Sequence, residues 1–245
     1  MGLKKRRVVA VLGAVFVALV AVFTNPASYE QILTKTQGAG SSERGGSEVI
    51  GESGDSDGAS GVLVKEVLEK LEVKGRAPKT GYSREEFYDG WPTVEGCSLR
   101  QRILKRELGE SAVLEGCNVV SGEYLEPYTG EYRVLGSREE VSKLQIDHVV
   151  ALSDAWQKGA QYLSEEVRYN IATDPLNLLA VDGAANGQKS DGDAATWLPA
   201  NKKFRCQYVA RQVSVKYRYG LWVTAAEKEA ILRVLSSCPE EKAVL

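Results

Sequence analysis

The chain reads Leu144-Gln145-Ile146-Asp147-His148-Val149-Val150-Ala151-Leu152 and then Asp174-Pro175-Leu176-Asn177-Leu178-Leu179-Ala180-Val181-Asp182-Gly183-Ala184-Ala185-Asn186-Gly187-Gln188-Lys189. The first stretch is an apolar, strand-like run interrupted by Asp147 and by His148, the single histidine among 245 residues. Imidazole is the side chain whose ordinary pKa lies nearest neutrality. Proton transfer by a histidine near pH 7 therefore falls to His148 alone. The second stretch predicts a short strand over Leu176–Val181 carrying Asn177, a turn at Asp182-Gly183, and a helix opening with Asn186-x-x-Lys189. Strand, loop, strand and helix, in that order, predict an α+β unit.

Outward from this centre, order is predicted to begin at Val62, with Leu63, Val67, Leu68 and Leu71 on one helical face. A second helix fits Leu99 to Leu108, striped by Leu99, Ile103, Leu104 and Leu108. A strand is predicted over Val113–Val120, followed by a hairpin joining Tyr124-Leu125 to Tyr132–Leu135 through Glu126-Pro127-Tyr128-Thr129-Gly130. Ser153 and Ser164 are candidate helix caps. A long helix is predicted from Asn201 to Tyr219, stopped by Gly220, and Thr224 with Glu227 reads as a capping box for a last one.

The N-terminus carries Lys4-Lys5-Arg6-Arg7 and then sixteen uncharged residues, Val8 to Phe23. As a helix these rise about 24 Å against a hydrocarbon core of ~30 Å, so residues 1–27 read as a secretory signal, with a retained anchor as the alternative. Only retention would make a membrane a partner. Residues 28–61 read as a disordered Gly, Ser and acidic linker, and residues 62–245 as the folded domain. Cys97, Cys117, Cys206 and Cys238 form no C-x-x-C couple, which argues against a zinc site made of four cysteines. In an exported chain an even count implies two disulfides. Cys97–Cys117 with Cys206–Cys238 closes the shorter loops, each worth about 3 kcal/mol by loop entropy; the other two connectivities stay open.

The net charge of −2 conceals an asymmetry. Residues 37–61 hold five acidic groups against Arg44, whereas Asn201 to Tyr219 holds six basic groups and no acidic one. That stretch suits an anionic partner, or a solvated cationic helix face.

The spacing of Asp147-His148, Asn177-Leu178 and Asn186-x-x-Lys189, with nine residues from Asn177 to Asn186, resembles the HNH nuclease motif. More of the chain, from about Tyr82 to Cys238, resembles the secreted HNH endonuclease family, which is grouped with the C-terminal nuclease domain of GmrSD-type restriction enzymes. The shared stretches are Tyr82-Ser83-Arg84, Gly96-Cys97, Pro127-Tyr128-Thr129-Gly130, Ile146 to Val150, Asp174 to Leu178, Trp197-Leu198-Pro199 and Val215-Lys216. The resemblance implies a ββα-metal (His-Me finger) core with added helices and a β-hairpin. It also implies metal-dependent hydrolysis of DNA, or RNA, with little sequence preference and no stable protein partner.

In such a site His148 takes the proton of the attacking water. Asp147 and Asn186 supply hard oxygen donors for Mg2+, with Mn2+ as a substitute; zinc would want a second histidine. By the resemblance Asn177 holds the loop that aims His148. Lys189, Arg205, Arg211 and Lys216 contact nucleic-acid phosphates. Family members usually carry Cys-Asp-Thr-Arg-Asn where this chain has Cys97-Ser98-Leu99-Arg100-Gln101, so Arg100 remains as a phosphate contact while its neighbours are altered.

Taken singly, each residue has a bland role. Asp147-His148 is then a structural pair, Asn177 a strand-edge turn residue and Asn186 a helix N-cap. Asp191 and Asp193 favour a helix start or hold a metal-bound water, and Trp156, Trp197 and Trp222 belong to the core. Two other readings compete with the nuclease: a catalytically inactive, disulfide-stapled module binding nucleic acid or envelope polymer through residues 202–218, and a zinc hydrolase.

Overall fold

The computed structural model describes residues 61–245. The expected leader and all but the last residue of the expected linker lie outside the described residues. In chain order the elements are α1 (Val64–Lys70), β1 (Thr93–Val94), β2 (Cys97–Ser98), α2 (Leu99–Leu108), β3 (Val113–Glu115), β4 (Asn118–Leu125), β5 (Tyr132–Leu135) and α3 (Arg138–Ser142). Then follow β6 (Gln145–His148), α4 (Leu152–Gln157), α5 (Glu165–Thr173), β7 (Leu178–Val181), α6 (Gly183–Lys189), α7 (Arg205–Arg218) and α8 (Ala225–Leu235).

Helices and short antiparallel sheets mix: β1 pairs with β2, β3-β4-β5 form a three-stranded sheet, and β6 pairs with β7. The β6–β7 register sets Asp147 opposite Leu179 and His148 opposite Leu178. All four residues of β7 are buried, as its continuous apolar run requires. α6 follows at once, because the Asp182 side chain accepts from Ala185 N and caps it. The buried stripe of α2 packs with Leu178 and Ala180 of β7 on one side of this unit. On the other side, α1, α7 and α8 pack with Leu179 and Val181. Disulfides join Cys97 to Cys117 and Cys206 to Cys238. Among the described residues no helix is long and apolar enough to cross a membrane.

Several boundaries differ from expectation for local reasons. The strand predicted over Val113–Val120 is broken by a turn at Gly116, whose φ is 59°. β4 then runs straight through Gly122, where a Cβ would lie 2.6 Å from Leu108 Cδ2. The strand predicted to start at Leu176 begins two residues later, because Pro175–Asn177 forms a 3-10 turn capped by Asp174. α6 starts at Gly183, so Asn186 sits within the helix and is not its cap. Ser153 lies inside α4, and its hydroxyl donates to Asp191 instead of capping. Ser164 and Thr224 do cap α5 and α8, the latter with the full capping box.

Three cations and three anions interlock in the interior. Lys158, wholly buried, reaches Asp154, Asp193 and Glu227 at 2.6–2.7 Å. Lys216, also wholly buried, pairs with Asp154 at 3.1 Å and Glu227 at 2.5 Å. Arg76 closes the group on Asp154 and Asp193, both at 2.9 Å. Burial alone would raise the Asp193 carboxyl, but Lys158, Arg76 and Lys216 outweigh it and hold its pKa at about 2. Burial would lower Lys216, and Asp154 with Glu227 raise it instead. Removing one member strands a buried opposite charge. Lys216→Met is therefore expected to cost about 3–5 kcal/mol in urea unfolding, with little relief at high salt.

Candidate active site

His148 ends β6, is 5% exposed and is one of the residues lining a cleft of about 290 Å³. Nε2 lies 2.9 Å from the Ala172 carbonyl oxygen, which can only accept, so Nε2 carries the hydrogen. The neutral ring therefore has its lone pair on Nδ1, to which no group among the described residues bonds. Burial lowers the pKa of His148 to about 3, against partial opposition from the Ala172 hydrogen bond. Trp91 stacks on the ring at 6.0 Å between centroids, and Tyr88 tilts against it at 5.9 Å.

Asn177 is fully buried beneath the segment that follows His148. Its Oδ1 accepts from Val150 N at 2.8 Å, and its Nδ2 donates to the carbonyls of Val150 and Ile171. Its own carbonyl accepts from Val149 N. The bonds to Val149 and Val150 hold the chain just beyond the histidine and the one to Ile171 ties it to α5, and Asn177 is not among the residues lining the cleft.

Asp147 and Asn186 line the same cleft as His148. Asp147 Oδ2 accepts from the Tyr128 hydroxyl, and Lys189 Nζ lies 3.0 Å from the carboxylate. Burial pushes the Asp147 carboxyl up, and Lys189 and Tyr128 pull it down less strongly. Asn186 Nδ2 donates to Gln145 Oε1 at 2.8 Å, which turns that amide's acceptor away from Gln145. The Asp147 carboxylate, shared with Lys189 and Tyr128, and the Asn186 amide oxygen, which has no partner among the described residues, are hard oxygen donors of the type a magnesium-like cation takes, with water completing its shell. Among the described residues, the one group of three close His, Cys or acidic side chains is Cys206, Cys238 and Glu241, and its two sulfurs form a disulfide.

Residues 102–234 match the family model described as GmrSD restriction endonucleases, C-terminal domain, more than half of the chain. The chain belongs to that family. A relative from Arthroderma benhamiae, named as an uncharacterized secreted protein, is 34% identical over 183 residues, covering 73% of this chain and 86% of the relative. No solved structure matches.

Within this GmrSD-family domain, several expected phosphate contacts are used by the fold instead. Lys189 is 2% exposed and binds Asp147 and, at 2.8 Å, the His148 carbonyl. Lys216 belongs to the buried ionic group. Neither can reach a backbone phosphate as placed, and both expectations are corrected. Arg211 donates to the Leu176 carbonyl and Arg100 to the Leu144 carbonyl, each half-buried, bracing the entries to the 3-10 turn before β7 and to β6. Arg205 donates to the Pro199 carbonyl and borders a separate groove with Lys202 and Arg233.

The altered Cys97–Gln101 segment stands apart from the cleft. Ser98 caps α2, and Gln101 accepts from Val119 N. Trp156 and Trp222 are core residues as expected, and Trp197 is partly buried against the core. Asp193 is a buried ion-pair member, and Asp191 binds Lys79 and Ser153 at the cleft.

The residues missed by sequence reasoning are Tyr88 and Trp91, while Arg84 stood in the shared Tyr82-Ser83-Arg84 stretch without a role. All three come from a stretch with few regular elements, upstream of the matched span.

The depressed pKa of His148 makes stability depend on pH. Between about pH 3 and the ordinary value of 6.5, the unfolded chain binds a proton that the folded chain refuses, so stability falls as pH drops through this window. The slope is about 1.4 kcal/mol per pH unit. Asp193 acts only at lower pH. Urea unfolding should therefore show the wild type losing about 2 kcal/mol more than His148→Asn between pH 7 and pH 5. Parallel losses in the two proteins would contradict the buried neutral ring.

Proposed function

We propose that this chain is an exported, metal-dependent endonuclease of the ββα-metal (HNH, His-Me finger) type, hydrolysing phosphodiester bonds of DNA, or RNA, with little sequence preference. The observation that carries the reading is one cleft lined by His148, Asp147 and Asn186 together. Family membership supports nuclease chemistry, and the relative's name supports export.

In this reading His148 accepts the proton of the attacking water at Nδ1, while Nε2–H stays on the Ala172 carbonyl and keeps the ring from turning. The low pKa keeps Nδ1 free of a proton across the neutral range. An anionic substrate entering the cleft raises that pKa towards the range in which a base is effective. Asn177 keeps the segment after His148 from moving, a positioning role. Asp147 and Asn186 hold Mg2+, with Mn2+ as a substitute. When bound, the ion supplies positive charge for the phosphoryl and leaving oxygens. Lys189 fixes the Asp147 carboxylate and the His148 carbonyl from the end of α6.

The non-catalytic reading loses ground, because Lys216 and Arg211 of the 202–218 stretch point inward and Arg218 pairs with Asp174 at 2.7 Å.

The test is nicking of supercoiled plasmid, with an RNA substrate in parallel. Cleavage is expected with Mg2+, to stop on EDTA, and to return with Mg2+ or Mn2+. His148→Ala should lower the rate by roughly 10²–10⁴-fold with folding retained by circular dichroism. Asn186→Ala should raise the Mg2+ concentration needed for half-maximal rate. Full activity in a folded His148→Ala protein would sink the proposal.

A further inference from the structure

The chain before α2 carries a cation that plays no part in the chemistry above. Arg84 lines the cleft together with His148, Asp147 and Asn186, and its side chain is exposed. The other charges there are paired: Lys79 with Asp191 at 3.1 Å, and Asp147 with Lys189 at 3.0 Å. Among the described residues Arg84 has no carboxylate partner. Its Nε and Nη2 donate to the Tyr88 hydroxyl at 3.2 and 2.6 Å, and its guanidinium lies 5.3 Å over the Tyr88 ring. The Tyr88 ring in turn packs 5.9 Å from His148. Arg84, Tyr88 and His148 are thus one contiguous stack at the rim of the cleft, with Nη1 unengaged among the described residues.

We propose that Arg84 is a substrate-contacting residue that grips the phosphate on which His148 acts, an assignment that rests on the phosphodiesterase reading above. A guanidinium matches two non-bridging phosphate oxygens in a planar, two-pronged bond that an ammonium cannot reproduce. Charge on those oxygens grows as water attacks, so a fixed cation beside them stabilises the transition state more than the substrate. Tyr88 holds the arginine in place beforehand, which spares the loss of side-chain freedom on binding. Tyr88 is the positioning residue, and Arg84 the one that touches substrate.

The experiment uses the full chain. Cleavage kinetics and the salt dependence of binding to a fluorescein-labelled duplex oligonucleotide, the latter in EDTA, are measured for five variants. These are Arg84→Ala, Arg84→Lys, Tyr88→Phe, the Arg84→Ala/Tyr88→Phe double variant, and Arg138→Ala, an exposed arginine of α3 paired with Glu115. Arg84→Ala is expected to lower kcat/KM by roughly 10²–10³-fold with an unchanged melting temperature, and Arg84→Lys to recover only a minor part. The slope of log K against log salt should fall by about one. Tyr88→Phe should slow the wild type by several-fold and have no effect on the Arg84→Ala protein, since one acts through the other. Arg138→Ala should match the wild type.

Wild-type-like cleavage by folded Arg84→Ala overturns the assignment and leaves the nuclease reading standing. So does an equal loss in Arg138→Ala, or additive effects of the Arg84 and Tyr88 changes. A wild type that cleaves no nucleic acid removes the nuclease reading, and oligonucleotide binding then decides. An Arg84-dependent salt slope keeps Arg84 as a phosphate contact, and an unchanged slope removes it as well.

Discussion

A carboxylate taken out of water costs several kcal/mol unless donors replace the water it loses. Asp147 meets that demand with two groups from distant parts of the chain, the Tyr128 hydroxyl from the β4–β5 turn and the Lys189 ammonium from the end of α6. Both donors are themselves buried, so each depends on the others for its own polar partner. Lys189 also holds the His148 carbonyl, which binds α6 to β6 twice within one residue pair. The hairpin turn, the strand with the imidazole and the helix with Asn186 are fixed relative to one another through this one buried group.

From that constraint the chemistry of the ring follows. One edge of His148 is tied to Ala172, its face is covered by Trp91, and Tyr88 leans against it. The ring is thereby desolvated and locked in a single tautomer, which leaves one nitrogen to act. Beneath the cleft, the chain leaving α6 is held just as firmly. Ser190 adopts φ 50°, and at Gly192 a Cβ would lie 2.9 Å from the Lys189 carbonyl oxygen. Asp191 then faces the cleft, while Asp193, two residues on, enters the buried ionic group. A non-glycine residue held at positive φ costs of order 1–3 kcal/mol and persists where its surroundings over-determine it. The ion pairs of Asp193 are one such surrounding.

The elements that surround His148 were legible because their signals are local. Apolar periodicity and caps place α2 and α8, and the Asp182-Gly183 sequence marks a change of direction after β7. The spacing of Asp147-His148, Asn177 and Asn186, read through its resemblance to the HNH motif, put His148, Asp147 and Asn186 at one site, and all three line the cleft. Charge was not legible in the same way. A lysine on a basic helix reads as solvated, yet Lys216 lies inside because Asp154 and Glu227, from α4 and near the start of α8, converge on it. Nothing within several residues of position 216 announces that meeting. Lys189 is the same case, since its carboxylate lies on another element. Trp91 and Tyr88 escaped notice because a segment with little regular structure offers no periodicity from which a facing side chain can be deduced.

This redistribution of charge alters how the domain would meet a polyanion. A broad basic face would draw nucleic acid from a distance and give a steep dependence on salt. Here the cations of the 201–219 stretch are divided. Lys216 is interior, Arg218 faces Asp174, Arg211 braces a turn, and Arg205 with Lys202 borders a groove apart from the cleft. Around His148 the lysines are matched by Asp147 and Asp191, so their fields largely cancel beyond a few ångströms. The positive charge left without an acidic partner among the described cleft residues is Arg84. If the cleft takes a phosphodiester as proposed above, recognition there would rest on a few short-range contacts rather than on a long-range field. Contacts made only at a phosphate would carry no information about base sequence.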